Sequence, residues 1–148
     1  MSAKRGLITK EHVGIWIDGG GAMLVFMNGD EISIERIESG VESRYRTSGG
    51  SRGKTPYGSQ IVASEGKAEQ RRKQQYSRYF RKVFEAIRRA GDILVLGPGE
   101  TKLHLATAIH KEPALSNRLR KVETCDRLTE RQVVVKVKTF FNTEQASS

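Results

Sequence analysis

The chain has 148 residues, of which 36% are hydrophobic and 29% charged, and this length and composition predict one globular domain, residues 1–148, rather than a disordered chain. The single cysteine, Cys125, excludes an internal disulfide, Met1–Lys10 lacks the apolar stretch of a signal peptide, and no apolar run approaches the roughly 20 residues of a transmembrane helix. We therefore expect a soluble cytoplasmic protein with no membrane partner, and the net charge of +9 indicates an anionic partner.

The first part of the chain predicts three sequential β-strands. They are expected at His12–Asp18, Ala22–Met27 and Asp30–Glu38, where apolar residues alternate with others or form a short run. Asn28-Gly29, between the last two, is a strong hairpin signal. Strands joined by such tight turns form an antiparallel meander.

Most of the positive charge lies in residues 41–90. This segment holds 13 Lys and Arg against 4 Asp and Glu, whereas the rest of the chain holds 13 of each. About residues 40–66 are rich in Gly and Ser and predict a flexible basic loop, and Lys67–Ala90 predicts a long helix. Charge concentrated on one arm is typical of a protein that binds a polyanion, most simply RNA or DNA. The apolar face of the predicted helix consists of Tyr76, Phe80, Val83, Ile87 and Ala90.

The candidate nucleic-acid-binding residues lie in both parts of this segment. Those on the helix fall on the side opposite the apolar face. An ordinary solvated face is the alternative there, since Glu85 is placed to pair with Arg81 and Arg89. Tyr45 and Tyr57 of the loop could stack on unpaired bases. The candidates are Arg44, Arg46, Arg52 and Lys54 in the loop, and Arg71, Arg78, Lys82 and Arg89 on the helix.

The remainder of the chain predicts alternating strands and helices. We expect a buried strand at Asp92–Leu96, helices at Thr101 to about Lys111 and at Pro113–Leu119, and a strand at Arg120–Thr124. Thr129–Gln132 matches a capping box and predicts a last helix to Phe141, followed by a loose tail. The resulting order, β-β-β-α-β-α-β-α, predicts an α/β fold: a mixed sheet with helices packed on it.

A glycine-rich turn, Gly97-Pro98-Gly99, joins the predicted strand at Asp92–Leu96 to the next helix. Free N–H groups at a helix start can hold a phosphate, and Lys102 could assist, so Gly97, Gly99 and Lys102 are candidate phosphate-proximal residues. The alternative is that the glycines only allow a tight turn, and the carboxylate of Glu100 would repel an anion.

Two other kinds of site lack residues that they need. Gly49–Thr55 resembles a P-loop, but the chain has Ser48 where that motif needs glycine, and Pro56 follows where a helix should begin. Asp18 is a candidate strand-end carboxylate for a metal-dependent nuclease, but the three histidines have no metal-ligand spacing. We predict no metal and no cofactor.

The order of elements and several motifs resemble a known family. Ile93–Lys102 (ILVLGPGETK) is similar to a Gly-Pro-Gly-x-Thr-Lys turn in the central domain of archaeal and eukaryotic class-1 peptide-chain release factors and of Pelota. More closely, the chain resembles small single-domain bacterial relatives labelled "translational machinery protein" or "host attachment protein", over about residues 12–141. That closer resemblance depends on Val13–Asp18, Tyr45–Gln60, and Val122–Asp126 with the Thr-Glu-Arg-Gln that follows.

The resemblance implies a fold and a role for the loop. The implied fold is an RNase H-like mixed sheet, an antiparallel meander plus parallel strands. In release factors the equivalent loop carries a Gly-Gly-Gln tip that enters the peptidyl-transferase centre and helps water attack the peptidyl-tRNA ester. Here Gly49-Gly50-Ser51 lacks the glutamine, and Gly58-Ser59-Gln60 is the candidate variant tip, with Gln60 as the catalytic side chain.

The sequence therefore favours a translation-associated factor that binds the ribosome or RNA. Peptidyl-tRNA hydrolysis, in ribosome rescue, is the activity that the resemblance implies if the protein is an enzyme. The alternative is a non-catalytic interaction module whose basic arm binds an acidic protein or DNA.

Overall fold

The computed structural model describes residues 11–42 and 58–147, with side chains described for residues 11–42 and 66–143. Within these ranges the elements alternate as predicted from the sequence. The strands are β1 (Glu11–Ile17), β2 (Gly21–Asn28), β3 (Glu31–Glu38), β4 (Ala90–Gly97) and β5 (Leu119–Thr124). The helices are α1 (Gly58–Ile87), α2 (Thr101–Lys111) and α3 (Glu130–Ser147). No helix in the described ranges has both the length and the apolar character needed to cross a membrane.

The five strands form one mixed sheet in the order β3-β2-β1-β4-β5. β1 pairs antiparallel with β2, and β2 with β3, whereas β1 pairs parallel with β4, and β4 with β5. The predicted α/β fold, an RNase H-like sheet of a meander plus parallel strands, is confirmed. Since β1, β3, β4 and β5 run in the same direction, all four end at one edge of the sheet, which we call the carboxyl edge.

Helices cover both faces of the sheet. On one face, buried side chains of α1 and α2, such as Val83 and Leu105, pack against Val13 and Ile15 of β1. On the other face, Val133, Val137 and Phe141 of α3 pack against apolar residues of β1, β2 and β4. The strict alternation of β1 sends its side chains to the two cores in turn.

Gly14 of β1 lets α3 approach the sheet closely. A Cβ atom at Gly14 would overlap Cγ2 of Val137, and Val137 is fully buried. The absence of a side chain at this position therefore sets the distance between β1 and α3.

The capping box at the start of α3 forms as predicted. The backbone N–H of Gln132 donates to Oγ1 of Thr129 over 3.1 Å, and the backbone N–H of Thr129 donates to Oε1 of Gln132 over 2.9 Å. The prediction of a loose tail after Phe141 is wrong, because the backbone stays helical to Ser147. Residues 142–147 contain no Gly or Pro, so extending the capped helix costs little.

The prediction of a short helix at Pro113–Leu119 is also wrong. Residues 113–118 form consecutive turns, in which the N–H groups of Leu115 and Ser116 donate to the Glu112 carbonyl. Because β5 already begins at Leu119, the segment is too short for a regular helix. Leu115 is still buried and closes the core beneath α1 and α2.

Candidate nucleic-acid interface

The long helix α1 has a buried side and an exposed side, as its sequence period predicts. Phe80, Val83 and Ile87 are buried against the sheet. The predicted cations Arg71, Arg78 and Lys82 lie opposite and are exposed. Because the helix ends at Ile87 and not at Ala90 as predicted, Arg89 is exposed in the turn that follows it, and Ala90 begins β4. We call the exposed cations of this side of α1 and of the turn after it the basic face: Arg71, Arg78, Arg81, Lys82 and Arg89.

Two cations of the basic face bind the end of β3 and the chain that follows it. Nε of Arg71 forms an ion pair with Oε2 of Glu42 at 2.9 Å, and Nζ of Lys82 donates to the Glu38 carbonyl over 3.3 Å. These contacts attach the helix to the carboxyl edge.

The other three cations of the basic face, Arg78, Arg81 and Arg89, have no ion pair within the part of the chain that the structure describes. The predicted partner, Glu85, instead pairs with Arg88, 3.5 Å away. Arg81, which the sequence analysis treated only as a partner of Glu85, is therefore a further exposed cation of the candidate interface. The five cations of the basic face outnumber Glu85, so the face stays positive whichever arginine Glu85 pairs with.

Tyr79 fixes α1 to the end of β1. The sequence analysis did not place it on the apolar face, yet its side chain is fully buried, and its hydroxyl donates to the Asp18 carbonyl over 3.0 Å. Burial, together with the nearby negative charge of Asp18, raises the pKa of Tyr79 well above its usual value. Its spacing to Val83, four positions on, was the signal for burial.

The boundary between the predicted loop and α1 lies earlier than expected. The helix begins at Gly58 rather than Lys67 and ends at Ile87, so the prediction of a loop that extends to residue 66 is wrong. The backbone of Gly58-Ser59-Gln60 forms the first turn of α1, and their side chains lie outside the described residues. Gly66 disfavours helix by about 1 kcal/mol relative to alanine, but extension of a helix that is already packed overcomes this cost.

The chain has a defined position on both sides of segment 43–57. Glu42 donates its N–H to Oε1 of Gln75 over 2.9 Å, so the chain leaves the carboxyl edge beside the middle of α1. Between Gly58 and Arg71 the helix continues for roughly 20 Å beyond these contacts. The remaining loop candidates, Arg44, Arg46, Arg52 and Lys54, and the loop tyrosines, Tyr45 and Tyr57, lie outside the described residues.

The turn between β4 and α2 is stabilised by contacts of its own residues. A Cβ atom at Gly97 would overlap the Ile17 carbonyl, so the close approach of β4 and β1 requires glycine. Lys102 is buried, and its ammonium donates to the Gly99 carbonyl over 2.5 Å. In this conformation Lys102 stabilises the turn, whereas its role as a phosphate ligand stays a prediction.

Asp18, the candidate metal ligand, is occupied by structural contacts. Its Oδ1 accepts hydrogen bonds from the N–H groups of Gly20 at 2.9 Å and Gly21 at 3.1 Å, and its Oδ2 pairs with Arg127 at 3.0 Å. No group of three or more His, Cys, Asp or Glu side chains in residues 11–42 and 66–143 is arranged to hold a metal ion.

The linker from β5 to α3 crosses the carboxyl edge. The Cys125 N–H donates to the Gly97 carbonyl over 2.9 Å, and Nε1 of Trp16 donates to the Asp126 carbonyl over 3.2 Å. Open α/β sheets bind small ligands in the crevice at this edge, and here Arg127 and Leu128 of the linker border a cavity of about 460 Å³ beside Trp16 and Asp18. Burial raises the pKa of the Cys125 thiol, which lowers its reactivity as a nucleophile.

Comparison with solved structures identifies the same fold in two known proteins. The Pelota protein of Thermoplasma acidophilum is similar with a TM-score of 0.54 and 13% identity, over 84% of this chain and 31% of that chain. The archaeal translation termination factor aRF1 is similar with a TM-score of 0.50 and 14% identity, over 93% of this chain and 41% of that chain. No protein-family model and no curated protein matches the sequence.

At these identities the similarity shows the fold alone, and the chain spans less than half the length of either protein. The closer resemblance to small bacterial relatives stays a prediction. The part of the resemblance that is confirmed is the architecture: this chain has a release-factor- and Pelota-like α/β fold.

Proposed function

We propose that this protein is a cytoplasmic, translation-associated factor that binds ribosomal or transfer RNA through the basic face of α1. The observation that carries the proposal is the set of three exposed arginines, Arg78, Arg81 and Arg89, none of which forms an ion pair with a described acid. Exposed cations gathered on one rigid surface attract phosphates and release counterions on binding. The fold shared with a translation termination factor supports ribosomal RNA as the polyanion.

The arm beyond the carboxyl edge is the second part of the proposal. The chain leaves the sheet at Glu42 and returns in α1 at Gly58, and residues 43–57 connect these two points. Its four cations, Arg44, Arg46, Arg52 and Lys54, extend the RNA-binding surface in this proposal.

Co-sedimentation with ribosomes at low and high salt tests RNA binding. We expect association at low salt and a steep loss as salt rises, because phosphate contacts dominate. The triple variant Arg78→Gln, Arg81→Gln, Arg89→Gln should reduce association, since glutamine has similar helix propensity but no charge. Lys82 is left unchanged because its contact with the Glu38 carbonyl supports the fold.

A control variant removes the same charge elsewhere. Lys111, Arg131 and Lys138 are exposed on α2 and α3, and their replacement by glutamine should leave association near the wild-type level. Equal losses in the two triple variants would show that only net charge matters. If the wild-type protein does not associate at low salt, the proposal fails, and the non-catalytic module that binds DNA or an acidic protein becomes the better explanation of the basic face.

Peptidyl-tRNA hydrolysis is the catalytic part of the proposal, with Gln60 orienting the attacking water. Gln60 lies in the first turn of α1, at the end of the helix furthest from Ile87 and the sheet contacts. Release of the peptidyl group from ribosome-bound peptidyl-tRNA measures this activity. Gln60→Ala should abolish release without weakening ribosome association, whereas Gln74→Ala, on the exposed part of the same helix, should preserve both. Release that survives Gln60→Ala would exclude Gln60 as the catalytic group.

A further inference from the structure

The basic face carries cations but no aromatic side chain. The four aromatic residues in the described part of α1, Tyr76, Tyr79, Phe80 and Phe84, are all directed into or against the core. Tyr79 and Phe80 are buried, and Tyr76 and Phe84 are half-buried. Tyr76 and Tyr79 also lie against Phe80, with ring centroids 5.7 Å from it in both cases. The face therefore offers no aromatic ring on which a nucleobase can stack.

The basic face is also rigid, because contacts along its length fix it to the sheet. Gln75 binds the Glu42 N–H, Tyr79 binds the Asp18 carbonyl, and Lys82 binds the Glu38 carbonyl. At its far end, Nη1 of Arg118 donates to the carbonyls of Arg88 at 3.1 Å and Ala90 at 2.9 Å. The backbone positions that carry the exposed cations therefore form a fixed row, about 17 Å long between Arg71 and Lys82.

Cations at fixed backbone positions, with no aromatic ring among them, favour paired over unpaired RNA. Proteins that bind unpaired RNA gain about 1–3 kcal/mol per base from stacking on aromatic rings, and this face cannot supply that energy. Paired RNA hides its bases and presents the phosphates of two strands at fixed positions, and it is recognised mainly through its backbone and shape. Cations at fixed backbone positions can bind a rigid array of phosphates without the entropic cost of ordering a flexible strand.

We infer that the basic face binds the phosphate backbone of double-helical RNA segments rather than unpaired RNA. The inference depends on the proposed RNA-binding function and specifies the form of RNA that the helix recognises. It also gives α1 and the loop tyrosines Tyr45 and Tyr57 different chemistry, since those tyrosines are the residues suited to unpaired bases.

Fluorescence anisotropy with two RNA probes of equal length and charge tests the inference. One probe is a self-complementary hairpin with a fully paired stem, and the other is an unstructured single strand. We expect the full-length protein to bind the hairpin about tenfold more tightly, which corresponds to about 1.4 kcal/mol. The titrations are repeated at several salt concentrations to obtain the slope of log K against log salt.

The helix variant Arg78→Gln, Arg81→Gln, Arg89→Gln assigns the preference to the basic face. It should lower hairpin affinity, reduce the steepness of the salt slope by about 2 to 3, and abolish the preference for paired RNA. The control variant Lys111→Gln, Arg131→Gln, Lys138→Gln should retain that preference. Circular dichroism of both variants verifies that they remain folded.

The outcomes separate this inference from the proposed function. Equal or tighter binding of the single strand, weakened by the helix variant, would overturn the inference and leave RNA binding intact. Hairpin preference that the helix variant does not change would place recognition elsewhere and also overturn it. Binding to neither probe at low salt would overturn both the inference and the proposed function.

Discussion

The hydroxyl of Tyr79 donates a hydrogen bond to the backbone carbonyl of Asp18 over 3.0 Å, and this contact joins the basic helix to the end of the central strand. The Asp18 side chain at the same time caps the turn that leads into β2, through the N–H groups of Gly20 and Gly21. One residue therefore shapes the meander with its carboxylate and orients α1 with its carbonyl. The orientation of the basic face relative to the sheet therefore depends in part on a backbone carbonyl at the end of β1.

Removing the Tyr79 hydroxyl should destabilise the protein. In Tyr79→Phe the ring still fills the core, but the partly buried Asp18 carbonyl loses its donor, so the free energy of unfolding should fall by about 1–2 kcal/mol. Urea denaturation measures this change. Tyr76→Phe is the matched control, because the Tyr76 hydroxyl makes no hydrogen bond within the described part of the chain, and its effect should be below about 0.5 kcal/mol. Equal effects of the two substitutions would contradict the role assigned to Tyr79.

Tyr79 should also make stability depend on alkaline pH. Burial, the charge of Asp18 and the neighbouring Tyr76 raise the pKa of Tyr79 in the folded protein above its unfolded value. Because the folded pKa is the higher one, this contribution is complete below the unfolded pKa of about 10 and is lost as pH rises further. The stability difference between wild type and Tyr79→Phe, measured between about pH 8 and about pH 11, should therefore be constant up to about pH 10 and shrink above it. A difference that stays constant across this range would show that the Tyr79 environment does not disfavour the phenolate.

The close approach of α3 to β1 predicts strong coupling between Gly14 and Val137. In Gly14→Ala the new Cβ overlaps Cγ2 of the fully buried Val137, so α3 must shift, at a cost of about 1–3 kcal/mol. Val137→Ala removes the obstructing methyl groups and leaves a cavity of its own. The double variant should be more stable than the sum of the single changes predicts, by at least about 0.5 kcal/mol in a double-mutant cycle. Strict additivity would mean that the helix adjusts freely and that Gly14 does not set its position.

The elements that the sequence predicted well are those with a complete local signal. The alternation of apolar residues in β1 and β3 and the continuous apolar run in β4 each indicate a strand without reference to distant residues. The capping box of α3 is the clearest example, because Thr129 and Gln132 satisfy each other's backbone and need no tertiary partner.

The features that the sequence did not predict depend on distant contacts. The Tyr79 hydroxyl donates to a carbonyl 61 positions earlier, and although the spacing of Tyr79 to Val83 is a local signal of burial, no local pattern contains that partner. The early start of α1 reflects extension of a helix that the sheet stabilises, against the local preference of Gly58 and Gly66. Glu85 pairs with Arg88 rather than Arg81 or Arg89, and the side-chain geometry that decides between neighbours on one helix is not encoded in their spacing.

Lys102→Met tests whether the turn after β4 serves the fold or a phosphate. Methionine keeps the buried stem of Lys102 but removes the ammonium that donates to the Gly99 carbonyl, so we expect a loss of about 1 kcal/mol in the free energy of unfolding. Hairpin RNA affinity should fall no further than in Lys111→Met, which removes one exposed positive charge from the other end of α2. Both variants are measured by urea denaturation and by anisotropy at one salt concentration. A fall in RNA affinity much larger than that of Lys111→Met, with stability unchanged, would instead assign Lys102 to phosphate binding, since a turn contact alone does not alter affinity in a protein that remains folded.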